Sequence, residues 1–277
     1  MSSVTEITER RGTLNWMNAP LQPGSQNGDD PRRNTILGAL WEADFRRIRP
    51  RLEHVDLPRA IVLEEEHQEI ANVYFPIEGV ASIVAVGEKG ESVDTSMIGR
   101  EGMTGLAVFL GTGQMPVRTM VQVPMRGYRM TSDDLRKELE RGGMLVNLLQ
   151  RYTQVVMVSM AQLILCNRSH RLDQRAARWL LQVDERVDEA PFDVTQEFLA
   201  EMIGTQRPSI SLAVSQFKDE GLISYSRGRI AITNRDGLLK RSWSRRLARR
   251  ASSKMLVRKS TNFRSSTKTR PCWRSVR

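Results

Sequence analysis

The chain has 277 residues, 40% of them hydrophobic, and a formal net charge of +10. This length supports one large or two smaller domains with buried cores. Its two cysteines, Cys166 and Cys272, are too few for a disulfide framework or for the four thiolates of an iron–sulfur cluster. No stretch reaches ~18 uninterrupted apolar residues and none has the order of a signal peptide, so we expect a cytoplasmic protein that does not span a membrane.

The positive charge is concentrated near the C-terminal end of the sequence. Residues 240–277 contain 14 Lys or Arg and no Asp or Glu, so the remainder has a net charge of −4. This pattern predicts a basic disordered tail over 239–277, either a non-specific DNA-binding arm or an extension without a selected role. Residues 1–33 are polar and contain several turn formers, which predicts a disordered N-terminal arm.

Residues 34–140 change from a helical to a strand-like pattern. Asn34 opens a predicted helix that ends near Pro50. The expected buried face of this helix comprises Ile36, Leu37, Leu40, Trp41 and Phe45. Beyond it, runs rich in Val, Ile and Thr alternate with Gly, Pro and charged turns, which predicts seven or eight short strands in an antiparallel β-roll. Ser132 is expected to cap a brief helix at the end of this unit.

Residues 141–170 predict one long helix with no strong internal breaker. Its apolar side chains recur four and three residues apart, as in the seam of a two-stranded coiled coil, which predicts a dimerisation helix. The seam residues are Leu145, Leu149, Tyr152, Val156 and Leu163. A helix that packs only on its own β-roll is the alternative, because Leu148, Val155 and Ile164 widen the stripe.

Residues 171–238 predict a winged helix-turn-helix for duplex DNA. A first helix should follow Thr195 and end at Gly204, and a second, capped by Thr205, should carry Pro208 in its first turn. Two alternating strands joined by Ser226-Arg227-Gly228 would form the wing.

The outward face of this unit is rich in short or fork-shaped hydrogen-bonding side chains. An arginine in the first turn of the second helix can contact guanine O6 and N7, while hydroxyls suit phosphate oxygens. The predicted DNA-binding residues are Thr195, Gln196, Gln206, Arg207, Ser209, Ser211, Ser215, Arg227 and Arg229. The alternative is an ordinary α+β subdomain without a nucleic-acid role.

The order of these parts resembles the Crp/Fnr family of transcription regulators. The resemblance is carried by VTQEFLAEMIGTQRPSISLAVSQFKDEGLI, RLDQRAARWLL and YFPIEGVASIV. It implies an α+β fold with a β-roll like a cyclic-nucleotide-binding jelly roll. It also implies a homodimer that places two recognition helices on a pseudo-palindromic promoter, with RNA polymerase as a further partner. Arg207 matches the family's guanine-reading arginine, whereas Pro208 and Leu212 replace a glutamate and an arginine of well-known members.

The resemblance is weaker in the sensor half. Arg118 and Thr119 match part of the family's phosphate-binding cassette and are the candidate effector-binding residues. Gly105 is followed by Leu106, where a ribose-binding glutamate would be expected. We therefore expect no cyclic nucleotide and predict no cofactor.

Two other functional classes remain as alternatives to a DNA-binding regulator. The first is a signal-binding or scaffold module of the same fold without DNA readout. The second is a cupin-like metal enzyme, which needs two or three histidines and a carboxylate on its strands. The sequence has three histidines, no H-x-H pair and no nucleophile or phosphate-loop motif, so we predict neither a metal site nor an enzyme.

Overall fold

The computed structural model describes residues 30–87, 92–188 and 190–242. The predicted arm over 1–29 and the predicted tail from residue 243 onward lie outside the described residues. Pro31–Arg33, assigned to the arm, forms a 3-10 helix in which Pro31 is buried. None of the helices in the described ranges has the length and apolarity needed to cross a bilayer.

The sensor region is built on one antiparallel five-stranded sheet. Its strands are β1 Glu53–Leu57, β2 Val62–Glu64, β3 Asn72–Val86, β4 Ser92–Ile98 and β5 Arg118–Thr131. The order is β1-β5-β3-β4, and β2 also pairs with β5. The prediction of seven or eight short strands was wrong for the described residues, because β3 and β5 continue for 15 and 14 residues. Register shifts within the β3–β5 ladder let both strands bend without ending.

Four short helices flank this sheet. They are α1 Thr35–Gly38, α2 Glu42–Ile48, α3 Leu106–Leu110 and α4 Ser132–Arg141. Asn34 caps α1 as predicted, since its side chain accepts from the amides of Ile36 and Leu37. The predicted single helix is divided in two. Trp41 has an extended backbone at the start of α2 and is 68% exposed, so its assignment to the buried face was wrong.

The cap of α4 also lies one residue earlier than expected. The side chain of Thr131 accepts a hydrogen bond from the Asp134 amide, whereas Ser132 is already helical and donates to the Ile70 carbonyl. Thr131 has the extended backbone that an N-cap requires, which is why it takes this role.

The rest of the chain is mainly helical. Its elements are α5 Met144–Ser169, α6 Leu172–Asp184, β6 Phe192–Asp193, α7 Gln196–Ile203, α8 Arg207–Asp219, β7 Ile223–Ser226, β8 Arg229–Ile232 and α9 Arg235–Arg241. The three strands pair in the order β6-β8-β7. The domain boundary predicted at 238 falls inside α9. This helix continues because Leu238 is fully buried and Arg241 pairs with Glu220 and Asp173.

Three apolar clusters hold these elements together. One lies inside the roll around Ile83 and Val121, and a second joins the sheet to the N-terminal half of α5. The third forms the core beneath α7 and α8 around Trp179 and Phe217, and it includes Val80 of the sensor sheet. Because this third cluster crosses between the two regions, the helix-turn-helix is packed directly against the sensor.

A buried ion pair reinforces this junction. The guanidinium of Arg186 donates to Oε1 of Glu101 from Nε at 2.9 Å and from Nη2 at 2.6 Å. Its Nη1 donates to the Gln182 carbonyl at 2.7 Å. The two side chains are only 11% and 10% exposed. Glu101 therefore anchors the sensor to the end of α6.

Asp94 of β4 is a second buried carboxyl at the same junction. It faces a small cavity lined by Leu163 of α5, by Arg175 and Arg178 of α6 and by Ile203 of α7. Burial raises the pKa of Asp94 to about 7, although Arg178, the Ser82 hydroxyl, Arg186 and the Ser96 amide oppose the shift. The Asp94 carboxyl therefore loses its proton at a higher pH in the folded chain than in the unfolded chain.

We predict that Glu101→Ala lowers the free energy of unfolding by about 3–5 kcal/mol, because it leaves the Arg186 charge buried without a partner. The matched control is Glu53→Ala, which removes an exposed partner of Arg129 and should cost less than about 1 kcal/mol. Urea denaturation of both variants measures the difference. Equal losses would show that the buried pair contributes no more than a surface pair.

We predict that Asp94→Asn changes the pH dependence of stability. Between about pH 4 and 7 the unfolded chain loses the Asp94 proton while the folded chain retains it, so wild-type stability falls as pH rises. The Asp94→Asn variant has no carboxyl at this position, so it lacks this fall in stability. Its free energy of unfolding relative to wild type should therefore increase over that window and level off above pH 7.

Urea unfolding across that pH range is the measurement for Asp94→Asn. Asp219→Asn, which replaces an exposed carboxyl at the end of α8, is measured alongside as the control for removing one carboxyl group from the surface. A constant difference between Asp94→Asn and wild type would contradict the prediction.

Candidate DNA-binding interface

The first helix of the helix-turn-helix, α7, begins and ends as predicted. The Thr195 hydroxyl accepts a hydrogen bond from the Phe198 amide at 3.2 Å, which satisfies one of the free amides of the first turn. Gly204 ends the helix with a φ of 68°. Glycine suits this left-handed position because it has no Cβ, and it lets the chain turn directly into the next helix.

The second helix, α8, starts at Arg207. The expectation that Thr205 caps it was wrong, because Gln206 is the N-cap and provides no side-chain hydrogen bond. Pro208 falls in the first turn, where a missing amide hydrogen costs little. The inward stripe is buried as predicted and comprises Ile210, Ala213, Val214 and Phe217.

The opposite side of α8 is open to solvent. Four of the predicted DNA-binding residues are exposed there, namely Gln206, Arg207, Ser209 and Ser215. Ser211 and Gln196 are half-buried and joined to each other, since the Ser211 hydroxyl donates to Gln196 Oε1 at 2.6 Å. This bond links α7 to α8, in addition to the apolar contacts between the two helices in the third cluster.

The wing is a tight hairpin with a two-residue loop. Arg227 and Gly228 both have positive φ, 50° and 77°, which is the pattern of the type I′ turn that suits twisted strands. Arg227 is exposed at the tip of this loop. Arg229 is also exposed, but it donates to the Pro191 carbonyl at 3.1 Å and pairs with Asp193 at 3.4 Å. Arg229 is thus engaged within the domain, whereas Arg227 lies at the exposed tip of the wing.

The two candidate effector residues of the sensor are both engaged within the chain. Arg118 pairs with Glu65 at 3.0 Å. The Thr119 hydroxyl donates to Glu64 Oε2 at 2.9 Å, and the Gly105 amide donates to the other oxygen of the same carboxylate. Burial raises the pKa of Glu64, while these two hydrogen bonds oppose the shift. The carboxyl group of Glu64 thus accepts the hydrogen bonds of the Gly105 amide and the Thr119 hydroxyl, two donors that a bound anionic effector would require.

The long helix α5 spans the predicted range, but its predicted seam faces inward. Leu145, Leu149, Tyr152 and Val156 are buried in the second apolar cluster of their own chain, so their assignment to a coiled-coil seam was wrong. The Tyr152 hydroxyl also donates to the Met103 carbonyl at 3.0 Å. Leu163 is half-buried in the cavity next to Asp94. The alternative of packing on the chain's own roll therefore holds for the first half of the helix.

A different stripe of α5 is apolar and open. It lies in the second half of the helix and comprises Met157, Val158, Ala161, Ile164 and Leu165. Met157 is 65% exposed and Ile164 is 72% exposed. These positions recur every three or four residues on the face opposite Tyr152, and they are the stripe that sequence reasoning missed. Ile164 was the sequence feature that could have revealed this stripe, because it lies outside the single apolar seam predicted for the helix.

The described residues contain no cluster of three His, Cys, Asp or Glu side chains arranged to hold a metal ion. Exposed hydrogen-bonding groups on α8, an arginine at the wing tip and an open apolar stripe on α5 are instead features for contacting macromolecules. The chemistry that the arrangement supports is recognition, through side chains held on rigid elements.

Comparison with known proteins agrees with this arrangement. Residues 174–241 match the family model of the Crp-like helix-turn-helix domain. No curated protein matched the sequence. Among solved structures, a transcriptional regulator of the Crp/Fnr family from Eubacterium rectale is similar, with 17% identity, a TM-score of 0.60 and coverage of 76% of this chain and 99% of that one.

Two further solved structures share the fold. FixK2 from Bradyrhizobium japonicum has 15% identity and a TM-score of 0.59, covering 68% of this chain and 96% of its own. A regulator of the same family from Thermus thermophilus has 20% identity and a TM-score of 0.52, covering 70% and 100%. Residues 174–241 thus match a Crp-like helix-turn-helix domain, and the chain has the fold seen in these solved regulators of the Crp/Fnr family.

Proposed function

We propose that this chain is a homodimeric regulator that binds a pseudo-palindromic promoter site through α8 and the wing. The observation that carries the proposal is the exposed side of α8, with Arg207 in its first turn and hydroxyls along its length. The match of the same region to the Crp-like helix-turn-helix domain supports it.

Arg207 is the residue expected to read a base. It is exposed at the N-terminal end of α8, the end of a recognition helix that reaches base edges in the major groove. Its planar guanidinium can donate to guanine O6 and N7 together. The exposed Arg227 at the wing tip suits a phosphate of the flanking backbone, which would position the helix without reading sequence.

The open stripe of α5 is the proposed dimer contact. Apolar side chains exposed on consecutive turns gain free energy when a second copy covers them, and two-stranded helical pairs use this spacing. A symmetric dimer would place two α8 helices about 34 Å apart, one turn of DNA. The two half-sites of the bound DNA are therefore expected to be one helical turn apart.

The proposed coupling between sensor and DNA runs through α5 and the junction with α7. One face of α5 packs on the sensor sheet and the other would pack on the partner, so a change in the sensor can alter the dimer contact. The helix-turn-helix also rests on the sensor through the cluster that contains Val80. A signal that favours one arrangement of these surfaces would shift the population between two spacings of α8.

We predict that Arg207→Ala weakens binding to a selected duplex by about 5- to 150-fold per half-site, because a bidentate guanine contact contributes about 1–3 kcal/mol. Preference at one base pair should also be lost. Fluorescence anisotropy with a duplex selected from genomic fragments measures both effects. Arg46→Ala, which changes an exposed arginine of the sensor helix α2, is the control and should bind as wild type does.

Unchanged binding by Arg207→Ala would contradict DNA reading by α8. It would place DNA recognition on another surface of the chain, whereas a wild-type protein that selects no duplex would favour a signal-binding or scaffold module without DNA readout.

We predict that Ile164→Glu raises the dimer dissociation constant more than about a hundredfold. Each copy loses the burial of a large apolar side chain, about 1.5 kcal/mol or more, and two like charges are brought together. Sedimentation equilibrium measures the constant, and Ile164→Leu, which keeps the apolar surface, should remain dimeric. Thermal melting followed by circular dichroism verifies that both variants fold. A dimer of wild-type affinity in the glutamate variant would place the contact elsewhere.

A further inference from the structure

Leu212 is an apolar side chain in an unusual place on α8. The other large apolar residues of this helix point into the core, whereas Leu212 is 68% exposed. Pro208, Leu212 and Ser215 are spaced i, i+4 and i+7, so they lie along one line directly opposite the buried stripe. Leu212 therefore occupies the centre of the side that would enter the major groove.

The surroundings of Leu212 indicate what it can contact. Among the described residues of the helix-turn-helix domain it is the one large apolar side chain that is mostly exposed. Ser211 precedes it in sequence, and the exposed Ser209 and Ser215 lie three residues away on either side along the helix. A surface for a protein partner normally presents a contiguous apolar patch. A single isolated leucine instead matches a small apolar target within polar surroundings.

The major groove offers such a target. Thymine carries a C5-methyl group there, and the other three bases carry no methyl group at their major-groove edges. A leucine against this methyl removes apolar surface from water, and uracil, which lacks the methyl, makes no such contact.

We infer that Leu212 is a specificity-determining residue that selects thymine by contact with its methyl group. This inference rests on the proposed DNA binding by α8. Leu212 follows Arg207 by five residues, a rise of roughly 7.5 Å along the helix. Base pairs are spaced by about 3.4 Å, so the selected thymine lies within about two or three base pairs of the guanine contacted by Arg207.

The test replaces single thymines of the selected duplex by deoxyuridine and measures affinity by fluorescence anisotropy. At the thymine contacted by Leu212 the expected loss is about fourfold per half-site, and about 16-fold when both half-sites are changed, as for one buried methyl of about 0.8 kcal/mol. Leu212→Ala should bind the thymine duplex more weakly and bind the thymine and uracil duplexes equally.

Arg207→Ala provides the matched comparison. This variant should bind both duplexes more weakly but retain the difference between thymine and uracil, because the methyl contact is separate from the guanine contact. Loss of the thymine preference in Leu212→Ala alone would support the inference.

Two results would overturn the inference in distinguishable ways. A wild-type protein that selects a duplex but binds its uracil versions equally would refute methyl readout and leave DNA binding intact. A wild-type protein that selects no duplex would refute the proposed function together with this inference.

Discussion

The structure depends on how the long helix α5 divides its two faces. One face supplies Leu149 and Tyr152 to the core beneath the sensor sheet, and Tyr152 adds a hydrogen bond to Met103. These side chains cannot also form an intermolecular seam, so the outer stripe around Ile164 remains for a partner. If the proposed dimer partner covers this stripe, α5 can carry a change from the sensor to the dimer contact without a change in its own backbone.

The junction between sensor and helix-turn-helix is the second constraint. It combines an apolar cluster, the buried pair of Arg186 with Glu101 and the buried carboxyl of Asp94. A buried ion pair and a buried carboxyl favour a single arrangement, because separating the pair or leaving a buried polar group without a partner is costly. Such a junction makes the relative position of the two regions specific. It also means that a second arrangement, in which α8 has another spacing, would need a new set of partners for these groups.

Local sequence predicted the local parts of this protein well. Thr195, Gly204 and Pro208 mark helix ends through capping, positive φ and the missing amide hydrogen, and the structure uses each of them that way. These effects involve residues within one turn of each other, so no knowledge of the fold is needed. The misplaced caps at Thr205 and Ser132 were errors of one residue. Thr131 and Ser132 both carry a hydroxyl that could cap a helix, and the backbone conformation decides between them, whereas α8 begins after Gln206 without any side-chain cap.

The sequence by itself determined the order of the parts, the helix-turn-helix with its outward arginine, and an unusually long apolar helix. Only the tertiary structure decided which apolar stripe of α5 is buried in its own chain, because periodicity shows that a face is apolar but not what covers it. The same holds for Glu64 of β2, whose carboxylate accepts from Thr119 of β5 and from Gly105 before α3, both far from it in sequence. Contacts of this kind arise from the sheet topology, which short sequence patterns do not encode.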